Sequence, residues 1–124
     1  MTVIDTKNYR GKVRVQKVGG LFSEQRTILS IDGNDRTRLV KAVKEHIELV
    51  RRALAGTDDA DTDIAGALCF ANADGLPLIA RQELDGVLID GTRRVARLAT
   101  RPGDLDTAAV DRIRNRIGHE FPPA

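Results

Sequence analysis

The sequence predicts a mixed α/β fold in which a mixed β-sheet is flanked by helices. Residues 12–17 alternate polar and apolar residues as a half-buried strand does, and residues 35–55 repeat apolar residues at helical spacing. Residues 64–71 form an apolar run typical of a strand that is buried on both faces. The length of 124 residues and the hydrophobic content of 41% fit one modest core, so we expect a single domain over residues 1–124.

The N-terminal part is expected to form three strands. Residues 3–7 are a short apolar strand, residues 12–17 alternate polar and apolar side chains, and residues 26–31 return after a Gly-Gly turn. We expect this hairpin to continue the sheet that residues 3–7 begin.

The helix predicted over residues 35–55 has the strongest local signal. Asn34 or Asp35 can cap its first amides, and Gly56 is placed to end it. Its apolar stripe consists of Leu39, Val43, Ile47, Val50 and Leu54. Its other face has only two acidic residues, Glu45 and Glu48. The basic residues on that face are Arg36, Arg38, Lys41, Lys44, Arg51 and Arg52. Such a face is either a solvated helix surface or a contact with a phosphate backbone.

Residues 57–63 contain four aspartates but lack the glycine and the terminal glutamate of an EF-hand loop. We therefore expect a solvated linker there. The apolar run at 64–71 then predicts a central strand, and residues 78–80 and 87–89 predict two short strands separated by the polar residues 81–85.

Two shorter helices are expected to complete the chain. Asp90 or Thr92 can cap the first helix, and Asp106 can cap the second, with Leu105 and Val110 in contact across that cap. The inward-facing residues of this part are expected to be Val95, Leu98, Ala99, Val110, Ile113, Ile117 and Phe121.

Composition and charge restrict the classes of function. The net charge of +2 and the pI near 9.0 come from a small excess of 20 basic over 18 acidic residues, which allows nucleic-acid binding without requiring it. Cys69 is the only cysteine and lies in an apolar run, so it is expected in the core. No apolar stretch is long enough to span a membrane, and Asp5, Lys7 and Arg10 interrupt any signal sequence, so the expected location is cytoplasmic.

The candidate for chemistry is the pair of Asp5 and Lys7 in the first strand. Because side chains alternate along a strand, both point to one face while Ile4 and Thr6 point to the other. A carboxylate can hold a divalent cation, and a neighbouring lysine can orient the attacking water or neutralise charge on a scissile phosphate. Chance alone gives roughly 0.7 acid-x-Lys triplets in a chain of this composition, so the triplet by itself does not separate a catalytic pair from an ordinary ion pair.

The wider run from Val3 to Val13, VIDTKNYRGKV, resembles the core of the NERD (nuclease-related) domain. There a strand ending in Asp/Glu-x-Lys leads into an aromatic residue, a basic residue and glycine. Later segments resemble blocks of actinobacterial NERD-domain proteins: GALCF at 66–70, AD at 73–74, LPL at 76–78, RPGDLD at 101–106 and FPP at 121–123. The resemblance spans nearly the whole chain and implies a restriction-endonuclease-like (PD-(D/E)XK) core.

That resemblance implies metal-dependent cleavage of DNA phosphodiester bonds. It maps the second metal-binding carboxylate of the family onto Asp5 and the motif lysine onto Lys7, with Mg²⁺ held by Asp5 and the carbonyl of Thr6. The residues expected to contact DNA are Arg10, Lys12, Arg36, Arg38 and Lys41.

The family also has an earlier strand with another metal-binding aspartate, and a helical glutamate, for which this sequence shows no counterpart before Met1. We therefore expect an N-terminally truncated core whose first strand has an exposed edge, and that edge invites a homodimer. The alternative function is a non-catalytic nucleic-acid-binding or protein-interaction module. An upstream in-frame segment encoding an acidic strand would favour the enzyme.

Overall fold

The computed structural model describes residues 1–72 and 82–123. This part of the chain contains two β-sheets and three helices, which confirms the mixed α/β class. The elements in chain order are β1 (Thr2–Lys7), β2 (Val13–Val18), β3 (Arg26–Ile31), β4 (Asn34–Asp35), α1 (Arg38–Leu54), β5 (Ala65–Phe70), β6 (Gln82–Leu84), β7 (Val87–Asp90), α2 (Thr92–Thr100) and α3 (Thr107–Glu120). The strand expected at residues 78–80 lies outside the described residues.

The larger sheet has four strands in the order β1-β5-β7-β6. β1, β5 and β7 run parallel, and β6 pairs antiparallel with β7. The prediction that residues 64–71 form a central strand is confirmed, because β5 lies between β1 and β7 and is buried from Gly66 to Phe70. Within the described part of the chain, β1 has a neighbour on one side only and is an edge strand.

The prediction that the hairpin continues this sheet is wrong. β2 and β3 do pair antiparallel as expected, but with β4 they form a separate three-stranded sheet. The chain leaves the first sheet after β1 through Gly11, whose φ of +129° favours glycine. A Cβ at Gly11 would also lie 2.2 Å from a carboxylate oxygen of Asp32, so a substitution there would displace the Asp32 side chain as well.

The core lies between α1, one face of the larger sheet and the inner face of the β2–β3 hairpin. It unites Leu39, Val40 and Val43 of α1 with apolar residues from both sheets: Val13, Leu29, Ile31, Leu68, Phe70, Leu84, Val87 and Ile89. The predicted stripe of α1 is largely confirmed, since Leu39, Val43 and Leu54 are buried. The other face of the larger sheet carries a smaller cluster in which Val95 of α2 covers Cys69, as expected of a core cysteine.

Two tight Asp-Gly turns create strands that periodicity does not predict. Asp32 and Gly33 have φ values of +52° and +81°, and Asp85 and Gly86 have +51° and +79°. Positive φ at both central residues is the geometry of two-residue hairpin turns that match strand twist. Each turn brings a short strand, β4 or β6, back against its neighbour. Residues 82–84, which were expected to lie in a polar connection, are therefore a strand.

The predicted caps of the first two helices are wrong. Asp35 accepts hydrogen bonds from the N–H and the hydroxyl of Thr37 (2.9 and 2.6 Å) rather than from amides of α1, which therefore begins at Arg38. These two bonds, followed by the charge of Arg26, lower the pKa of Asp35. Likewise no side chain caps α2, and the residue at its N-cap position is Gly91. Asp90 instead accepts from the Gly91 N–H (2.7 Å) and from Arg94 (3.1 Å).

The cap of the third helix is confirmed. Asp106 accepts from the Ala109 N–H at 2.7 Å. The contact expected between Leu105 and Val110 is not supported, because Val110 is 47% exposed while Ala109 and Ile113 are the buried residues of α3. Phe121 and Ala99, both expected to face inward, are exposed.

The aspartate-rich segment 57–63 is more than a solvated linker. The Asp59 side chain is only 9% exposed and accepts two hydrogen bonds from the Arg112 guanidinium of α3, at 3.1 and 3.0 Å. These bonds lower the pKa of Asp59 and raise that of Arg112. Arg116 adds a bond to the carbonyl of Ala53 at 2.7 Å, so α3 is tied to the end of α1. No helix in the described ranges has the length and apolar character needed to cross a bilayer.

Candidate catalytic pair on the edge strand

Asp5 and Lys7 lie together on one face of β1, as the two-residue alternation predicts. The Lys7 ammonium is 3.3 Å from a carboxylate oxygen of Asp5, and the side chains are 34% and 21% exposed, respectively. Both groups are therefore partly shielded but reachable from solvent. The same alternation leaves Ile4 on the opposite face, where it is 39% exposed.

The register of the sheet places the pair next to apolar side chains. Asp5 is opposite Leu68 and Lys7 is opposite Phe70, and residues opposite each other share a face of a sheet. Leu68 and Phe70 belong to the core beneath α1, and Tyr9 packs against that core with its ring centroid 6.3 Å from that of Phe70. An apolar floor lowers the local dielectric constant and strengthens the interaction of this pair with any bound charge.

The backbone of β1 offers further polar groups at its outer edge. The carbonyls of Met1 and Lys7 accept hydrogen bonds from the amides of Ala65, in β5, and Ala71, directly after it, at 2.8 and 3.2 Å. Because the direction of N–H and C=O groups alternates along a strand, the N–H and C=O groups of Thr2, Ile4 and Thr6 point away from β5. The Thr6 carbonyl, predicted as a metal ligand, therefore faces the open side of the sheet next to Asp5.

The oxygen atoms of Asp5 and Thr6 are of the chemical type that binds Mg²⁺. Magnesium prefers oxygen ligands and is usually held by one or two carboxylates, with water and phosphate in the remaining positions. Asp5 and the Thr6 carbonyl supply two such oxygens from adjacent residues. In the described ranges no group of three or more His, Cys, Asp or Glu side chains is arranged to hold a metal ion.

The other residues predicted to contact DNA lie elsewhere. Arg10 and Lys12 are exposed on the connection from β1 to β2. Arg36 lies between β4 and α1, and Arg38 and Lys41 lie at the start of α1. Lys41 is 3.9 Å from Glu45 in an exposed ion pair. No hydrogen bond or ion pair among the described residues joins these positions to Asp5 or Lys7, so the structure brings together only the two members of the pair.

A polar contact that the sequence did not predict lies at the carboxyl ends of two parallel strands. The Asn72 side-chain amide donates to the side-chain oxygen of Asn8 at 2.5 Å, directly after β5 and β1. In open α/β sheets, ligands bind at this end of the strands. The sequence did not indicate this contact because it depends on the parallel pairing of β1 with β5, whose residues are more than 60 positions apart.

Comparisons with known proteins add no identification. The chain matches no protein-family model, no curated protein and no solved structure.

Proposed function

We propose that this protein is a nuclease-related domain that acts on DNA, with Asp5 and Lys7 as its catalytic pair. The observation that supports the proposal is the 3.3 Å contact between a carboxylate and an ammonium on the same face of the edge strand. The pair is partly exposed beside an apolar floor, which is the setting in which charged groups act strongly on a bound phosphate.

Within this proposal each group has a distinct role. Asp5 and the Thr6 carbonyl would hold Mg²⁺, which supplies Lewis-acid stabilisation of the phosphoryl oxygens when bound. Lys7 lies within reach of the same position and would orient the attacking water or offset the negative charge that develops on the phosphate. Arg10, Lys12, Arg36, Arg38 and Lys41 would contact the DNA backbone without reading sequence. We place this activity in the cytoplasm.

A second copy of the chain is part of the proposal, because one chain contributes one carboxylate to the site. The outward N–H and C=O groups of Thr2, Ile4 and Thr6 can pair with the same groups of another β1. The resulting sheet would join two protomers edge to edge.

The test is cleavage of plasmid DNA in the presence of Mg²⁺ or Mn²⁺ by the wild-type chain and by Asp5→Asn and Lys7→Ala variants. We expect each variant to lose about 100-fold or more in rate, and excess EDTA to abolish cleavage by the wild type. The matched control is Arg114→Ala, which breaks an exposed ion pair with Asp111 on α3, away from the proposed site. Cleavage that survives EDTA, or that Lys7→Ala leaves intact, would contradict the proposal.

The alternative is a DNA-binding or protein-interaction module without catalysis. What favours it is that the described residues contain no group of three metal-ligating side chains. DNA binding without Mg²⁺-dependent cleavage at any protein concentration would select this alternative.

A further inference from the structure

The loop that connects β2 and β3 presents two hydrophobic side chains entirely to solvent. Leu21 is 93% exposed and Phe22 is 100% exposed, although Phe22 is one of only three phenylalanines in the chain. The described residue with the next highest exposure in this class, Val110, is 47% exposed. Adjacent, fully exposed large apolar residues at a loop tip are typical of a contact site rather than of an ordinary surface.

The backbone of this loop is tightly specified. Gly19 has a φ of +85°, and a Cβ there would lie 2.6 Å from the carbonyl oxygen of Glu24. Gly20 follows with a φ of +143°. Two consecutive positions that favour glycine place Leu21 and Phe22 at the far end of the hairpin from the core residues Val13 and Ile31.

The hairpin concentrates the positive charge of the molecule. Residues 12–28 carry four basic side chains, Lys12, Arg14, Lys17 and Arg26, and one acidic side chain, Glu24. This segment has a net charge of +3, whereas the whole chain has a net charge of +2. The remainder of the protein is therefore slightly acidic, and an anionic partner would be drawn to the hairpin.

The basic side chains of the hairpin are not neutralised in the way those of α1 are. On α1, Lys41, Lys44 and Arg51 form ion pairs with Glu45, Asp85 and Glu48. None of the four hairpin cations forms an ion pair with a carboxylate in the described ranges. The charge of Arg26 helps to lower the pKa of Asp35, but the two side chains form no ion pair. Binding of an anion at the hairpin would therefore break no existing ion pair.

The register distributes these cations over both faces of the ribbon. Lys17 is opposite Thr27, and the next rung toward the tip pairs Val18 with Arg26. Because adjacent rungs point to opposite faces, Lys17 lies on one face and Arg26 on the other, with Arg14 on the same face as Arg26. A DNA groove has phosphates along both walls, so a ribbon that is basic on both faces fits a groove better than it fits a flat membrane surface.

From these observations we propose that the β2–β3 hairpin is a DNA-binding arm. It lies in a groove of duplex DNA with Lys17 and Arg26 directed at opposite phosphate walls, and Phe22 inserts between base pairs at its tip. Apolar wedges flanked by basic residues unstack and kink DNA in this manner. The inference rests on the proposed function in taking DNA as the partner, but it does not require cleavage.

The experiment measures the affinity of the full chain for a 25-base-pair duplex, with a donor and an acceptor dye on the two ends to report bending. We compare the wild type with Phe22→Ser and with Lys17→Glu/Arg26→Glu. The control is Phe121→Ser, which removes another exposed aromatic far along the chain. Thermal unfolding of every variant is recorded, and Phe22→Ser should leave Tm unchanged because the side chain makes no core contact.

We expect Phe22→Ser to weaken binding by about 5- to 100-fold, the range seen when one stacked aromatic is removed, and to abolish the bend. The double charge reversal should weaken binding and reduce its dependence on salt. If the wild type binds and bends DNA without cleaving it, the result would contradict the nuclease proposal and support the DNA-binding arm. Binding that Phe22→Ser does not affect, or that occurs on vesicles of anionic lipid but not on DNA, would overturn the arm.

Discussion

Replacement of Ile4 by lysine should convert the proposed dimer of this protein into a monomer. In an antiparallel pair of β1 strands related by a two-fold axis at Ile4, Ile4 lies opposite its own copy and Thr2 lies opposite Thr6. All three outward-facing residues of β1 then exchange backbone hydrogen bonds. A shift that centres the axis on Asp5 would instead place two carboxylates opposite each other, and like charges in that position are destabilising.

The magnitude follows from the exposure of Ile4. Full burial of an isoleucine side chain is worth about 1.5–3 kcal/mol, and 39% of Ile4 is available to be covered in the dimer. Two copies therefore contribute on the order of 1–2 kcal/mol. Loss of this term raises Kd about tenfold, and the introduced lysines, which natural edge strands use against pairing, raise it further.

Sedimentation equilibrium at micromolar concentration measures the effect, with Leu49→Lys as the control. Leu49 is an apolar residue of similar exposure, 44%, on α1, so its replacement should leave the dimer intact. Single cysteine variants then test the register, because Cys69 is buried. Ile4→Cys should form a disulfide-linked dimer on oxidation. Faster cross-linking through Asp5→Cys or Thr6→Cys would refute this register, and a wild-type monomer would refute the pairing itself.

Three further predictions concern stability. Gly66→Val should cost about 1–3 kcal/mol by overpacking, because a Cβ at Gly66 would lie 2.9 Å from Val43; urea unfolding measures the loss. Asp59→Asn should lower Tm at pH 7 and remove the contribution of Asp59 to the pH dependence of stability. A carboxyl whose folded-state pKa lies below its unfolded value near 4 stabilises the fold above that value and loses the effect as pH falls through the folded-state pKa; a variant with an unchanged pH profile would show that the Arg112 contact is not formed. Asp106→Ala should cost about 1 kcal/mol through loss of the α3 cap, read from the same urea curves.

Periodicity along the chain predicted the elements whose formation depends on local spacing. The helix at residues 35–55, the central strand at 64–71 and the shared face of Asp5 and Lys7 are all present. The helix has an apolar stripe that determines its buried face, the central strand is an apolar run that can be buried on both faces, and the shared face of Asp5 and Lys7 follows from the two-residue alternation of any strand.

The caps of α1 and α2 and the sheet to which the hairpin belongs could not be predicted in this way, because each is a choice between local alternatives. Asp35 could cap α1 or bind Thr37, and two short hydrogen bonds to Thr37 decided the outcome. The hairpin could extend the first sheet or form its own, and sequence spacing does not distinguish the two. The exposure of Leu21 and Phe22 was not predicted either, because two apolar residues after a Gly-Gly turn do not indicate whether the loop packs on the core or projects from it.

The geometry of β1 would link the proposed dimer to the proposed catalytic pair. A two-fold axis perpendicular to the sheet leaves each side chain on the same face, so the two copies of Asp5 would lie on one face, diagonal to each other across the axis, with Cβ atoms about 7 Å apart. Carboxylates at that spacing can converge on a shared cation, which one chain alone supplies with a single carboxylate. We therefore expect cleavage per chain to rise with protein concentration below the dimer Kd, and Ile4→Lys to lose cleavage in step with dimerisation although Ile4 touches no proposed ligand. Leu49→Lys should retain both properties. An Ile4→Lys monomer that cleaves DNA at the wild-type rate would show that one copy of Asp5 suffices and that the edge plays no part in catalysis.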